Sequence, residues 1–478
     1  MKNLITLMVL LIAINSSNAQ DSLAILRFED YLSIVMDNHP VMQQAQLQPD
    51  MADASLMMAK GMLDPTFQLE RDIKQFDEKN YWDMLNSTLK IPTWIPLDPK
   101  LSVDRNTGLF LNPQDGIPTD NDNLQFSAGL ALPIGRGLFI DERRATILQA
   151  KIYRDIAAAE QLKMTNKLLF TVIKDYLYWS LAYQELNLLD QSVDIAAELY
   201  RRVRLDYTFG EAAVVDTVQA IITLQTRQAD YQKTLYSFIA AGLNISNHLW
   251  TSDGIPLELK SATIPDTMTN FGVMPEASTI QSLIDWAMIN HPDIQSIEGK
   301  TEQLTIENRL AKEYLKPQVD LSYTLIDAPI NPAGEFQNPS FNDNYKMGLD
   351  IYFPLLLRKE RGKLAFNKLK IQDVGFERDY RRQTITNDIN SRFAELQMAE
   401  SLTNQYRMMA NNYERLLEAE LLNLETGESD LFKLNIQQDK FIESQLKYLF
   451  YLTKFQTLKA EILHDAGNLY PTLSTVSN

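Results

Sequence analysis

Two stretches of this chain hold no proline, Ile134 to Ile255 and Leu355 to Tyr470, although 19 prolines are spread through the remainder. Proline lacks the amide hydrogen that a helix interior uses, and its ring clashes with the preceding turn. Its exclusion from two runs of this size predicts long helix in both. In the first run apolar or aromatic residues recur at 3–4 spacing: Leu162, Leu169, Val172, Tyr176, Trp179, Tyr183, Leu186, Val193, Ala197 and Tyr200, interrupted at Thr165 and Asp190. A stripe held this long predicts coiled-coil packing rather than an ordinary surface helix. From Leu138 to Tyr207 the helix would be a rod of about 100 Å at ~1.5 Å per residue, longer than any single globular core.

Each run has one natural break past its middle, at Gly210-Glu211 in the first and Gly427-Glu428 in the second. Glycine tolerates the left-handed conformation that ends a helix, and acidic residues suit the start of the next one. The reading is a hairpin of two antiparallel helices, made twice.

What lies between the hairpins is organised in the same way twice. A helix from Leu26 to Asp37 stops at Asn38-His39-Pro40, and a second reaches Met62 with an expected irregularity at Pro49; Pro65 then opens an alternating run through Phe67 and Leu69. Later, Ile280 to Ile289 stops at Asn290-His291-Pro292, a helix reaches Leu315, and Pro317 opens an alternating run. Residues 39 and 291, and residues 65 and 317, are both 252 apart. Two landmarks in one register indicate an internal duplication. The expected boundaries are a first repeat over 20–255 (strands about 66–133, hairpin about 138–250), a linker over 256–279, a second repeat over 280–470 (strands about 318–354, hairpin about 358–468) and a tail over 471–478.

Strand alternation is clear at Leu85 to Ile91, Gln125 to Leu132, Val319 to Leu325 and Met347 to Phe353. One face is apolar and the other polar, as in a half-buried soluble sheet or a barrel wall with lipid outside and water inside. Turn-rich segments at Trp94 to Pro99, Asn112 to Pro118 and Pro329 to Asn344 read as exposed loops, and the region between Ile91 and Asn123 has room for an additional hairpin. The expected strand count is therefore two to four in the first repeat and about two in the second.

Composition narrows the function. A net charge of -17 argues against nucleic acid, whose phosphates need clustered Lys and Arg. The chain has no cysteine, which removes disulfides, thiolate nucleophiles and cysteine metal sites. Its four histidines, His39, His248, His291 and His464, are too scattered for a catalytic or metal cluster. No grouping of nucleophile, base and orienting residue is visible, and Gly135-Arg136-Gly137 is too short for a phosphate loop and reads as a turn between strand and helix. The reading is a non-enzyme with no cofactor and no metal.

Residues Met1 to Ala19 form an n-region with Lys2, an apolar core from Leu4 to Ile14, and Ser17-Asn18-Ala19 before Gln20, the pattern of a secretory leader. Beyond it no run reaches the 18 or so apolar residues of a membrane helix. A bilayer could be crossed only with strands.

An exported, cysteine-free, internally duplicated chain with Asn-His-Pro helix stops, proline-led strands and two Gly-tipped hairpins resembles the TolC family of outer-membrane efflux channels, from about Leu26 to Leu469. The resemblance implies a mainly α fold with a membrane β-barrel portion, assembled as a homotrimer whose strands form one shared barrel and whose helices form a hollow periplasmic cylinder. It implies an outer-membrane location and passive exit of substrates delivered by an inner-membrane pump and a periplasmic adaptor, in efflux or type I secretion. Candidate wall residues are Phe67, Leu69, Phe126, Leu130, Val319, Tyr323, Leu349 and Phe353. The resemblance further places a periplasmic aperture at the hairpin tips, here Gly210, Glu211 and Asp216 in the first and Gly427, Glu428, Asp430 and Lys433 in the second. Lys433 and Ile436 stand where the family often has acids, so Lys433 is expected to pair with Asp216 or Asp430 of a neighbouring hairpin. The competing reading is a periplasmic coiled-coil adaptor without a pore, but such adaptors usually carry one hairpin between glycine-rich β halves. The leader reading predicts that the exported chain begins at Gln20, which intact-mass measurement of the mature protein checks; a mass that retains Met1 to Ala19 contradicts it.

Overall fold

The computed structural model describes residues 24–111, 124–260, 262–267, 277–326 and 344–476. The expected leader, the 112–118 loop and residues 329–343 of the third loop lie outside the described residues. The chain divides into two compact units, each assembled from both halves of the sequence. The first comprises Met1–Met42, Leu168–Pro275 and Arg392–Ile462, and the second Gln43–Lys167, Glu276–Ser391 and Leu463–Asn478.

Helices dominate. In chain order the described elements are β1 (Ala24–Leu26), α1 (Phe28–Asn38), α2 (Pro40–Lys60), β2 (Thr66–Phe76), β3 (Lys79–Lys90), β4 (Asp98–Thr107), β5 (Gln125–Pro133), α3 (Glu142–Thr208) and α4 (Val214–Ser246). They continue with β6 (Thr263–Pro265), α5 (Ala277–Asn290), α6 (Pro292–Glu313), β7 (Gln318–Ile326), β8 (Tyr345–Tyr352), α7 (Arg358–Thr426), α8 (Leu431–Asp465) and α9 (Leu469–Val476). The proline-free runs are helical as expected. Four details go beyond or against the sequence reading. Ala24–Leu26 pairs in parallel with Thr263–Pro265 instead of opening a helix. Asp98–Thr107 is a strand in a region read largely as loop, and the C-terminal segment forms a helix. Finally, α2 runs through Pro49 unbroken. Proline there forfeits one backbone hydrogen bond, while the stripe Ala45, Ala52, Leu56 and Ala59 is buried along the same helix and offsets that loss.

In the first unit the core forms around α1, α3 and α4. Tyr31, Tyr176 and Trp179 are fully buried; Tyr31 stacks on Tyr176 at 5.5 Å and Trp179 on Phe238 at 6.3 Å. Of these three rings Tyr176 satisfies its polar end, whereas the Tyr31 hydroxyl and Trp179 Nε1 are buried without a hydrogen-bond partner. The Tyr176 hydroxyl donates to the Leu26 carbonyl at 2.7 Å and accepts the Asp266 N–H at 3.1 Å, which ties both short strands to α3. The expected seam holds through Leu169, Val172, Tyr176 and Trp179 but then slips: from Leu189 the buried positions are Ser192, Ala196, Leu199 and Val203, while Ala197 is exposed. Carried forward at a repeat of ~3.5 residues the seam would reach Ala197 and Tyr200, one residue beyond the positions that are buried, so the face that α3 buries changes along its length.

In the second unit, α3 packs on α2 through Leu56, Ala59, Ile147 and Ala150 and on α6 through Ile140, Ala145 and Ile306. Gln149 and Gln303 each donate their side-chain amide to the other's backbone carbonyl, at 3.2 and 3.0 Å. Asn166 holds the C-terminal turn, donating to the Gly467 carbonyl at 2.8 Å and accepting the Tyr470 N–H at 2.7 Å.

Both Asn-His-Pro triplets prove to be the same device. The histidine leaves helical geometry, proline starts the next helix where its missing N–H costs nothing, and the imidazole Nδ1 accepts the N–H two residues on: Val41 on His39 and Asp293 on His291, each at 3.1 Å. Both imidazoles must stay neutral to accept. The His39 pKa is pushed from 6.5 down to about 4 by burial and then by the charge of His248, whose ring lies 5.7 Å away and whose Nε2 meets Asp175 at 2.8 Å. His291 is pushed to about 4 by burial, opposed by Asp293 and reinforced by Arg381, His464 and Lys163.

Below pH 6.5 the unfolded chain takes up protons that the native histidines refuse until about 4, so stability is lost as pH falls through that window and is flat above it. The thermal midpoint of the detergent-solubilised protein should fall between pH 6.5 and 4. His39→Asn with His291→Asn, which keeps a capping oxygen, should remove most of that slope; an unchanged slope rules these rings out as its source.

Candidate functional site

The strands β2, β3, β4, β5, β7 and β8 form one six-stranded sheet in that order, antiparallel throughout, in the second unit. Its register aligns Phe67, Leu89, Leu101, Ala128, Leu325 and Tyr345 in a single row across all six strands. Directly opposed residues share a face, so this row defines an apolar side that also carries Leu69, Val103, Phe126, Leu130, Tyr323, Met347, Leu321, Leu349, Val319 and Ile351. Seven of the eight candidate wall residues fall on it, and Phe353 follows β8 with the same parity. The opposite face carries Gln68, Thr88, Ser102, Ser127, Thr324, Lys346 and Asp350.

Exposure runs against the soluble rule. Phe67 is 69% exposed, Met347 63% and Ile351 64%, whereas Ser102, Asn106, Gln125 and Ser127 on the polar face are buried. Ser102 and Ser127 hydrogen-bond to each other through their hydroxyls across β4 and β5. An exposed apolar surface this continuous marks a face meant for something other than water. Charge interrupts it towards the β2–β3 turn, where Arg71 and Asp83 pair at 2.8 Å. Among the described residues no helix is long and apolar enough to cross a membrane, and β2 and β8 each leave one edge of the sheet unpaired.

The two hairpin tips, in the first unit, close by one mechanism. Gly210 and Gly427 take φ of +80 and +75, the left-handed region where only glycine avoids a steric penalty. At the first tip the Gly210 N–H donates to the Tyr207 carbonyl at 3.1 Å and Glu211 N–H to Asp206 at 2.8 Å; at the second, Gly427 N–H donates to Leu424 at 3.2 Å and Glu428 N–H to Asn423 at 2.8 Å. Both are the paired bonds that satisfy the last helical carbonyls.

The tips differ in where the acid sits. Asp216, third residue of α4, accepts the Ala213 N–H at 3.0 Å. In the second tip the acid precedes the helix: Asp430 accepts the Lys433 N–H at 2.9 Å, and Lys433 Nζ approaches the same carboxylate at 3.8 Å. Each helix start has one capping carboxylate, and Lys433 takes up the position that the acid vacates. Glu211, Glu428, Asp430 and Lys433 are exposed and Asp216 is half-buried. Leu199 and Val203, Ala220, Leu417, and Leu431 and Leu434 bring α3, α4, α7 and α8 into one cluster behind the tips. Arg227 on α4, itself buried, pairs with Asp439 on α8. Sequence reading passed over the exposed apolar residues Phe209, Val215 and Phe432, which flank the turns and are 77%, 71% and 63% exposed.

No family model matches the sequence, and no curated protein matches it. Solved structures do match over 92% of the chain. They include the CmeC outer membrane channel of Campylobacter jejuni, at 12% identity, TM-score 0.64 and 85% of that chain. VceC, an outer membrane protein of Vibrio cholerae, matches at 13% identity, TM-score 0.64 and 95% of that chain. The open state of the MtrE outer membrane channel of Neisseria gonorrhoeae matches at 15% identity, TM-score 0.66 and 89% of that chain. At these identities the likeness is one of architecture alone, and the mainly helical part of the expected fold is the part that is found: this chain has the fold of the outer-membrane channels.

Proposed function

We propose that the chain is one subunit of an outer-membrane channel, exported by its leader and giving passive exit to substrates that an inner-membrane pump and a periplasmic adaptor deliver. The observation that carries this reading is the inverted sheet, with apolar side chains exposed and hydroxyls and amides enclosed. That polarity suits a wall between lipid and water and wastes apolar area in a soluble protein. Six strands with two open edges leave backbone groups without partners in lipid, so copies must share the barrel. A homotrimer with a periplasmic helical tunnel is the assembly that the family resemblance and the fold support together. The duplicated sequence accounts for two hairpins per copy. The wall residues are Phe67, Leu69, Phe126, Leu130, Val319, Tyr323, Leu349 and Phe353, and the periplasmic aperture is framed by Gly210, Glu211 and Asp216 with Gly427, Glu428, Asp430 and Lys433.

The pore-free adaptor reading has no use for an exposed apolar face. Membrane fractionation separates the two: the channel should enter solution only with detergent and run as an oligomer. A compact, detergent-free monomer would end the proposal. In planar bilayers Lys433→Glu, which adds a third carboxylate beside Glu428 and Asp430, should shift single-channel conductance and raise cation preference. Unchanged conductance removes Lys433 from the aperture.

A further inference from the structure

Where the apolar face of the sheet gives way to helix, the local charge reverses. The whole chain is at -17, yet segments 133–144, 312–316 and 354–363 together hold nine cations against four carboxylates. Each follows or precedes the last apolar residues of a strand. Leu132 and Ile134 run into Arg136; Ile351, Phe353, Leu355 and Leu356 run into Arg358 and Lys359; Lys316 stands just before Val319. All belong to the second unit.

The apolar residues at this level are turned outward. Leu355 is 89% exposed, Phe139 72% and Leu356 65%. The two leucines directly precede a strained joint, for Leu357 takes φ of +46, a left-handed conformation that a leucine adopts only under constraint from its surroundings. Lys316 Nζ lies 4.5 Å from the ring centroid of Phe139. Exposed leucines and phenylalanine bordered by lysine and arginine are the composition of a membrane–water boundary.

Within this collar a cavity of about 560 Å³ brings Arg136, Lys359 and Lys363 over Tyr314 and Phe366, with Glu360 the one carboxylate in its lining. The Arg136 guanidinium lies 3.7 Å from the centre of the Tyr314 ring. Stacking fixes the plane of the guanidinium and leaves its edge N–H groups to bind a planar or tetrahedral anion. Lys363 pairs with Glu307, while Arg136 and Lys359 have no carboxylate partner among the described residues.

We propose that this cavity binds the phosphodiester of an anionic glycerophospholipid in the leaflet facing the helices, with Arg136 and Lys359 on the phosphate and the acyl chains over Leu355 and Leu356. The site rests on the reading of the sheet as a membrane wall and adds to it a headgroup specificity. A free phosphate ion shares the charge but has no use for the exposed leucines, which is why the lipid is favoured.

The test uses full-length protein in a neutral maltoside detergent, with lipid retention read by native mass spectrometry. Phosphatidylglycerol should be held at least tenfold more tightly than phosphatidylcholine of the same chains, and millimolar inorganic phosphate should not displace it. In Arg136→Gln/Lys359→Gln the preference should disappear. Equal retention of both lipids by the unaltered protein overturns the proposal whether or not that variant folds. Displacement by phosphate alone overturns it in favour of a free-anion site, and a preference that survives in the folded variant overturns the assignment to this cavity. A protein that needs detergent but shows no preference leaves the membrane reading standing and sinks only the lipid site; one soluble without detergent that takes up neither lipid sinks both.

Discussion

The large sheet has a mainly apolar side and a mainly polar one, and the decisive constraint is which of the two is enclosed. In a soluble sheet the apolar side faces a second layer, because burying it contributes about 25 cal/mol for each Å² removed from water. Here the enclosed side carries Ser102, Asn106, Gln125 and Ser127, and the open side carries Phe67, Leu69, Met347 and Ile351. Hydrogen bonding keeps the polar side affordable: Ser102 and Ser127 satisfy one another. The apolar side is left for an apolar partner or medium, which in the proposed channel is lipid. Once that is granted, the unpaired edges of β2 and β8, the exposed leucines before α7 and the cations beyond them all fall into one scheme.

The helical part solves a different problem, which is to start, stop and turn very long helices at defined points. It does so with repeated local devices. Two Asn-His-Pro joints cap a helix with an imidazole, and two glycine turns close the hairpins with the same pair of backbone bonds. At the tips the capping carboxylate has moved from the third helical residue, Asp216, to the residue before the helix, Asp430. Both positions serve the exposed N–H groups and the positive helix end. The exchange of an acid for Lys433 is therefore tolerated by the local fold, and its consequences are electrostatic.

Much of this was legible from the chain alone, because the signals were local. Proline exclusion marked α3, α4, α7 and α8, and strand parity placed the wall candidates on one face. What was missed depended on tertiary context. β4 contains Pro99, two aspartates and two lysine or arginine residues, a poor strand by composition; it forms because Leu101 and Val103 complete the apolar rows between β3 and β5. The seam of α3 slipped because the face that the helix buries changes along its length with the elements packed on it, which a single apolar stripe does not report. The cationic collar was not legible, since its three segments are far apart in sequence and converge only in the folded second unit.

The strand count itself constrains assembly. Six strictly alternating strands mean that β2 and β8 run in opposite directions, so in the proposed ring of copies each junction is antiparallel without any strand reversing. Register at the junction is restricted further. Side chains alternate with a period of two, so only pairings that match odd with odd residues keep Phe67 and Leu69 on the same side as Leu349 and Ile351. Among those, a register that set Lys346 against Lys74 and Asp350 against Glu70 would oppose like charges on the polar face, while registers that set Lys346 against Asp72 or Glu70 join opposite ones. In the proposed trimer such junctions would close eighteen strands, three copies of a six-stranded sheet. Barrel diameter grows roughly in proportion to strand number, so in that proposed barrel the second hairpin of the first repeat would widen the lumen.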